Sequence, residues 1–314
     1  MVRRSEILTA ASAIVAWYAI VLAAASPLAN GPVVDSWLYA HSTRDFIAGG
    51  RIRFAGYSQV MPFAQILYGA SWARLFGAGD RSLALSVAFL GASGAIFFYL
   101  LMRRSGADHE NSMLATAILA FNPCYLFLSF SFMTEIPFLT ALLASLLAAT
   151  RAIQTRSTAM HWLAAGLIVI AFLVRPFALA AIPGCALALV FDTMRRQTAP
   201  ARAIRVLLPQ LAPYLLSFGL CVLASLIVAR LEPTPFLLAR HFRDLRSAFG
   251  RSLFTVYLRG GILEPVLYLG LVLAPLAVPL GLGIRPKRGL ALGIILFTIG
   301  AALILAPGDF FGLP

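Results

Sequence analysis

Charge is the scarcest commodity in this chain. Asp, Glu, Lys and Arg make up 12% of its 314 residues, against 61% hydrophobic ones, about half the charged fraction of a soluble domain. That scarcity excludes a soluble enzyme and a disordered chain alike. Lysine is nearly absent: Lys287 is the only one, so arginine carries almost all of the net charge of +13. Cysteine is also rare. Cys124, Cys185 and Cys221 each lie in an apolar run, which excludes a disulfide framework or a cysteine metal site and leaves them as small core residues. The four histidines show no metal-ligand spacing, and His109 and His161 fall near span ends as interface residues. There is no internal repeat, low-complexity tract, phosphate loop or dinucleotide fingerprint, which argues against a nucleotide-driven enzyme; nothing points to nucleic acid.

What is present is apolar sequence in runs of about 20 residues, the length that crosses a bilayer as a helix. The mean hydropathy is +0.88. The expected fold is an all-α polytopic membrane protein with about nine spans: 7–25, 82–102, 112–130, 136–150, two short spans within 162–191 broken at Val174-Arg175-Pro176, then 206–229, 263–284 and 289–306. The GASG run at 91–94 lies inside the second span and reads as a small-residue packing patch. Arg3 and Arg4 before the first span resemble the start of a secretory signal, but the apolar run is long for one and more spans follow. A retained first span is expected.

Arginine pairs at 3–4, 103–104 and 195–196, with Arg151, Arg156 and the 285–288 cluster, put one set of span ends in the cytoplasm. The N-terminus is then inside and the C-terminus outside, in the cell (inner) membrane. Two polar stretches, 26–80 and 230–262, face the exterior or periplasm, within a single transmembrane domain, 1–314. These outer loops also carry many arginines. The orientation rule is weaker for long loops, and a basic outer face suits an anionic substrate, since the arginine fork matches phosphate oxygens.

The loop 26–80 holds the sharpest candidate, Asp35. It either caps a helix running from Ser36 to about Ala48 or acts as a carboxylate base, and the two roles can coexist. On that helix Asp35, Tyr39 and Ser42 share a face, while His41 and Asp45 form an i,i+4 pair. Glu135 sits in a short outer turn; it is either a helix-start acid favoured by the dipole or a second functional acid on the same side as Asp35. Arg175, at the tip of the broken hairpin, snorkels to the interface or binds a partner. In the second loop Arg240, Arg243 and Arg246 form one basic stripe, suited either to an anionic lipid surface or to a phosphate.

These residues resemble the C-type (GT-C) membrane glycosyltransferases, which use polyprenyl-phosphate-linked sugars. Asp35-Ser-Trp-Leu-Tyr39 followed by Ala48-Gly49-Gly50 is similar to the family's acidic helix after the first span. Met61-Pro62-Phe63 and Leu75-Phe76-Gly77 look like its proline run and closing LFG. Thr134-Glu135-Ile136-Pro137 is similar to the acid-bearing second outer loop, and Phe172-Leu173-Val174-Arg175-Pro176 to the break between spans five and six. The likeness covers roughly residues 1–200. Many relatives carry two adjacent acids where this chain has Asp35 and Ser36, which weakens any metal bound by an acidic pair.

The resemblance implies transfer of a sugar from a polyprenyl-phosphate donor to a lipid, glycan or protein acceptor at the outer face, inverting, with Asp35 as base and Glu135 as a second catalytic residue that positions the acceptor or a metal. Tyr39, His41, Asp45, Arg175, Arg240, Arg243 and Arg246 are the substrate-binding candidates. No metal site is expected, although a divalent cation remains compatible. The competing reading is a transporter or flippase for an anionic lipid or solute, which would place charges deep in several spans and show an internal repeat. A purely structural membrane protein would need none of the acids.

Overall fold

The computed structural model describes residues 3–25, 27–29, 35–50, 52, 62–196 and 200–231, all within one compact unit, Met1–Thr234. Spans 263–284 and 289–306 lie outside the described residues, as does nearly all of the loop 230–262, with Arg240, Arg243 and Arg246.

Every described element is helical. They are α1 (Arg4–Ala25), α2 (Ser36–Gly49), α3 (Phe63–Phe76), α4 (Asp80–Arg104), α5 (His109–Phe121), α6 (Pro123–Ser129), α7 (Glu135–Thr155), α8 (Thr158–Phe172), α9 (Ala181–Arg196) and α10 (Pro200–Leu231), with short 3₁₀ turns at Pro27–Ala29 and Pro176–Ala180. Five segments are long and apolar enough to cross a membrane: Arg4–Ala25, Asp80–Arg104, Glu135–Thr155, Pro176–Arg196 and Ile204–Ile227. These overlap five of the expected spans, and the expected count of about nine is not reached among the described residues.

Two expected spans take a different form. The one placed at 112–130 is broken into α5 and α6, which bend by 65°. Pro123 opens α6, and the Asn122 side chain caps it by accepting from the Tyr125 N–H at 3.1 Å, so proline and its cap together stop one helix and start the next. The other, α8, has only 15 residues, about 22 Å of rise. It ends because the residue before a proline is pushed into extended conformation: Arg175 has φ −144° and ψ 128°.

The arginine pairs expected on one face do share one end of the bundle. Arg103 meets Glu6 at 2.6 Å, joining the end of α4 to the start of α1. Gln154 of α7 donates to the Arg104 carbonyl at 2.8 Å, and Arg156 and Arg196 line one small pocket. The opposite end carries α2, Asp80, Glu135 and Arg175. Among the described residues no Asp, Glu, Lys or Arg sits midway along a span.

Small residues let these helices approach closely, as bilayer packing requires. The α7–α8 seam holds Ala148, Ala149, Ala152, Ala164 and Ala165, all buried, while Leu163, Ile170 and Phe191 stay exposed as a lipid-facing surface. The GASG patch performs the packing expected of it. A Cβ on Gly91 would strike Ser129 Oγ and lie 2.7 Å from the Tyr18 hydroxyl; one on Gly94 would lie 2.7 Å from Thr140 Oγ1. The Gly91 carbonyl accepts from the Tyr125 hydroxyl at 2.7 Å, and Tyr18 and Ser129 hydroxyls meet at 3.0 Å. Gly91→Leu should therefore push α1 and α6 off α4, costing about 3 kcal/mol by overpacking alone; thermal unfolding in detergent checks this against Gly166→Leu, where a Cβ meets nothing.

Two minor expectations fail. His161 is fully buried, not interfacial, and meets the Tyr214 hydroxyl at 3.0 Å, because α10 covers the start of α8. Cys124 is exposed, on the second residue of α6, where the bend turns it outward, while Cys185 and Cys221 are buried.

Candidate active site

The site is assembled by α2, the 130–135 turn and the α8 break. α2 begins at Asp35, but the carboxylate does not cap it. The Asp35 backbone carbonyl accepts from the N–H groups of Leu38 and Tyr39, at 3.0 and 3.3 Å, and no side-chain cap bond forms. Helix initiation thus does not use the carboxylate of this exposed residue. α2 stops at Gly50, whose φ of 65° puts it in the left-handed region, where glycine carries no Cβ penalty.

Tyr39 lies one turn after Asp35 and is buried, at 3% exposure. Burial pushes its phenol up to about 12; the Asp35 and Glu135 carboxylates push the same way, and the Arg175 guanidinium and the Thr134 hydroxyl beside it oppose them. Tyr39 is accordingly a neutral hydrogen-bonding phenol at working pH. Asp35, Glu135, Thr134 and Arg175, from three separate stretches of sequence, thus lie within electrostatic reach of one ring.

Arg175 is held rather than free. Its Nε donates to Thr134 Oγ1 at 2.7 Å and its Nη2 to Glu135 Oε1 at 2.5 Å. Both charged side chains are mostly buried, with 23% and 30% exposure. Glu135 Oε2 is buried without a hydrogen-bond partner among the described residues, so the acid has acceptor capacity left. Arginine carries five N–H donors, and these bonds use two of them. Glu135 is the first residue of α7, where the helix dipole also favours its charge.

His41 and Asp45 form their pair at 3.5 Å, with side chains 63% and 38% exposed. They lie about 200° (His41) and 240° (Asp45) around the helix from Tyr39, and the structure does not bring them to the other candidates. Thr134 and Gln65 were not singled out from sequence. Gln65 is 1% exposed, and its Nε2 donates to the carbonyls of Phe132 and Met133 at 3.1 and 3.3 Å; an amide in the apolar run FAQIL was the available signal. The Ala64 N–H donates to the Leu173 carbonyl at 3.1 Å, so the start of α3 pins both the 130–135 turn and the α8 break.

Beside this cluster opens an apolar groove of about 450 Å³ between α3, α4, α7 and α8. Gln65, Pro137 and Val174 line one end, next to Glu135 and Arg175; Arg151 and Met160 line the other. From Pro137 to Arg151 it follows α7 for about 21 Å. Among the described residues no three His, Cys, Asp or Glu side chains come together as a metal site, and Ser36, the residue beside Asp35, is not an acid.

Residues 62–222 match the family of dolichyl-phosphate-mannose-protein mannosyltransferases, just over half of the 314 residues. The chain belongs to this family. It is a GT-C type membrane glycosyltransferase, mannosyltransferase-like, of the kind that depends on a polyprenyl-phosphate-linked sugar. The matched segment takes in Glu135, Arg175 and the groove, and it begins after Asp35 and Tyr39. No curated protein and no solved structure matches the chain.

Proposed function

We propose that this glycosyltransferase moves a sugar from its polyprenyl-phosphate donor to an acceptor hydroxyl on the outer side of the membrane, with inversion and with Asp35 as base. The observation that carries the reading is the Arg175–Glu135 pair at one end of an apolar groove running the depth of the bundle. A prenyl chain fits such a groove, and its phosphate then lies at the bilayer edge beside the donors Arg175 has left over. Glu135 and Thr134 orient that guanidinium, and binding energy is not lost to reorganisation when charge develops on the leaving phosphate.

The step balances simply. The acceptor oxygen forms a bond to the sugar's anomeric carbon and gives its proton to Asp35, a carboxylate within the family of groups that serve as general bases. The anomeric carbon–phosphate oxygen bond breaks, and polyprenyl phosphate leaves as an anion on Arg175. Tyr39, neutral and buried, is placed to hydrogen-bond the sugar or hold Asp35. His41 and Asp45 are kept as candidate acceptor contacts on the exposed side of α2, and Arg240, Arg243 and Arg246 as candidate phosphate contacts.

Filling the groove tests the donor assignment. Ala144 lines its middle, and Ala144→Trp should raise KM for a long-chain donor about tenfold, while a donor with a single isoprene unit, which does not reach that depth, is used as by wild type. Equal KM changes for both donors would remove the groove from donor binding.

A further inference from the structure

α2 presents two adjacent stripes. Asp35 and Tyr39 form the stripe on the side of the catalytic cluster; Ser36 and Ala40, one residue further round, line a second cavity of about 320 Å³. Its walls come from α1, α4 and α6, including Ala25, Ala84, Phe127 and Phe130. Phe127 is 54% exposed, so one flank meets lipid. The 130–135 turn divides the two sites: Phe130 lines the second cavity, and Thr134 and Glu135, a few residues on, belong to the first.

The charge at this cavity is unbalanced. Asp80 is neutralised by its short ion pair with Arg44, whose Nε also donates to the Ala78 carbonyl at 2.9 Å. Arg81, exposed on the first turn of α4, makes no ion pair with a described residue. The cavity is thus mostly apolar in its walls, with Ser36 and Ser131 as its neutral polar groups, and carries Arg81 as a cation without an ion pair among the described residues. A polypeptide acceptor would bring an N–H and a C=O at every residue, and apolar walls cannot satisfy them. An amphipathic molecule with a hydrocarbon chain and an anionic head fits both features.

We propose that this second cavity seats a lipid acceptor with an anionic phosphate head group, its chain against α1, α4 and α6 and its phosphate on Arg81, so that a hydroxyl of the head group reaches Asp35. Asp35, at the start of α2, then stands where the head groups of donor and acceptor lipids meet. The word acceptor rests on the glycosyltransfer reading; the lipid site does not, and the two are tested separately.

The test uses the full chain in phosphatidylcholine vesicles, with phosphatidylglycerol carrying a photoreactive diazirine on its acyl chain, and maps the labelled peptides by mass spectrometry. Labelling should fall on α1, α4 and α6 and drop about fivefold in Arg81→Gln, the loss of one basic residue's attraction for an anionic head. It should drop further in Ala25→Trp, a change at an exposed position that the fold tolerates and that fills the cavity mouth. Binding of sugar-free polyprenyl phosphate, titrated in the same vesicles, should be unchanged in both variants. Unchanged labelling in Ala25→Trp, equal labelling by a phosphatidylcholine diazirine, or displacement of the probe by a serine-rich peptide would each overturn the proposal. Specific phosphatidylglycerol labelling in a chain that binds no polyprenyl phosphate would keep the lipid site and remove its acceptor role.

Discussion

Asp35→Asn is expected to lower sugar transfer about 10³-fold, the size of effect associated with loss of a positioned general base, and to leave the melting temperature unchanged. Both halves follow from how α2 begins. The helix starts on the Asp35 backbone carbonyl, and the carboxylate makes no cap bond, so the amide variant forfeits no cap on which the start of α2 depends. Had the carboxylate capped α2, the substitution would mix a stability loss with a catalytic one. Donor binding should persist, because the groove and Arg175 are untouched; kcat falls and KM for donor stays. Rescue by Asp35→Glu should be partial, since one extra methylene moves the oxygens by more than an ångström. Transfer by the Asn variant within a few-fold of wild type would remove Asp35 from the chemistry, whatever its location.

Arg175→Ala should remove detectable transfer and also destabilise the protein by about 2 kcal/mol, because it leaves Glu135 largely buried without its counter-charge. The double variant Arg175→Ala/Glu135→Ala should regain most of that stability and none of the activity. This split separates a structural ion pair from a phosphate grip: a pair that served folding alone would recover function along with stability. Arg175→Lys should restore the melting temperature better than it restores activity, because an ammonium is a point charge and cannot hold Thr134, Glu135 and a phosphate together in the plane of a guanidinium fork. Enzyme assays beside thermal unfolding of the three variants in one detergent decide the matter. Full activity in the double variant would contradict the assignment.

Much of this arrangement was legible in the sequence, for identifiable reasons. Five of the long apolar runs gave helices at their expected places among the described residues, because in lipid a run of 20 apolar residues has few other options. α2 was readable from Asp35 at its start, although the carboxylate makes no cap bond, and the break at Arg175 from the proline that follows it. The packing role of Gly91 and Gly94 followed from small residues inside a span. The bend at Asn122-Pro123 was legible in principle, as proline with its own cap, but an apolar run on both sides concealed it. His161 went unrecognised as buried because its partner, Tyr214, is 53 residues away and nothing local encodes that meeting.

The candidate site shows the same division. Asp35, Glu135 and Arg175 stand out as charges in an oily chain, and a charge near a membrane span is conspicuous. Their order along the chain says nothing of the shared ring of Tyr39, nor that Glu135 would be spent partly on holding Arg175. Thr134 and Gln65 escaped notice because a neutral polar residue in an apolar run becomes informative only once its partner is known. The two cavities are products of packing among several helices that are distant in sequence, and no single stretch announces them.

The most direct measurement is donor turnover by the purified chain in vesicles containing polyprenyl-phosphate-linked radiolabelled mannose and a membrane lipid extract as acceptor source. Wild type should release polyprenyl phosphate in step with label appearing on a new product, and Asp35→Asn and Arg175→Ala should each release none above background. Donor that crosses the bilayer intact while no polyprenyl phosphate forms, in wild type and variants alike, would contradict the assignment and point to transport.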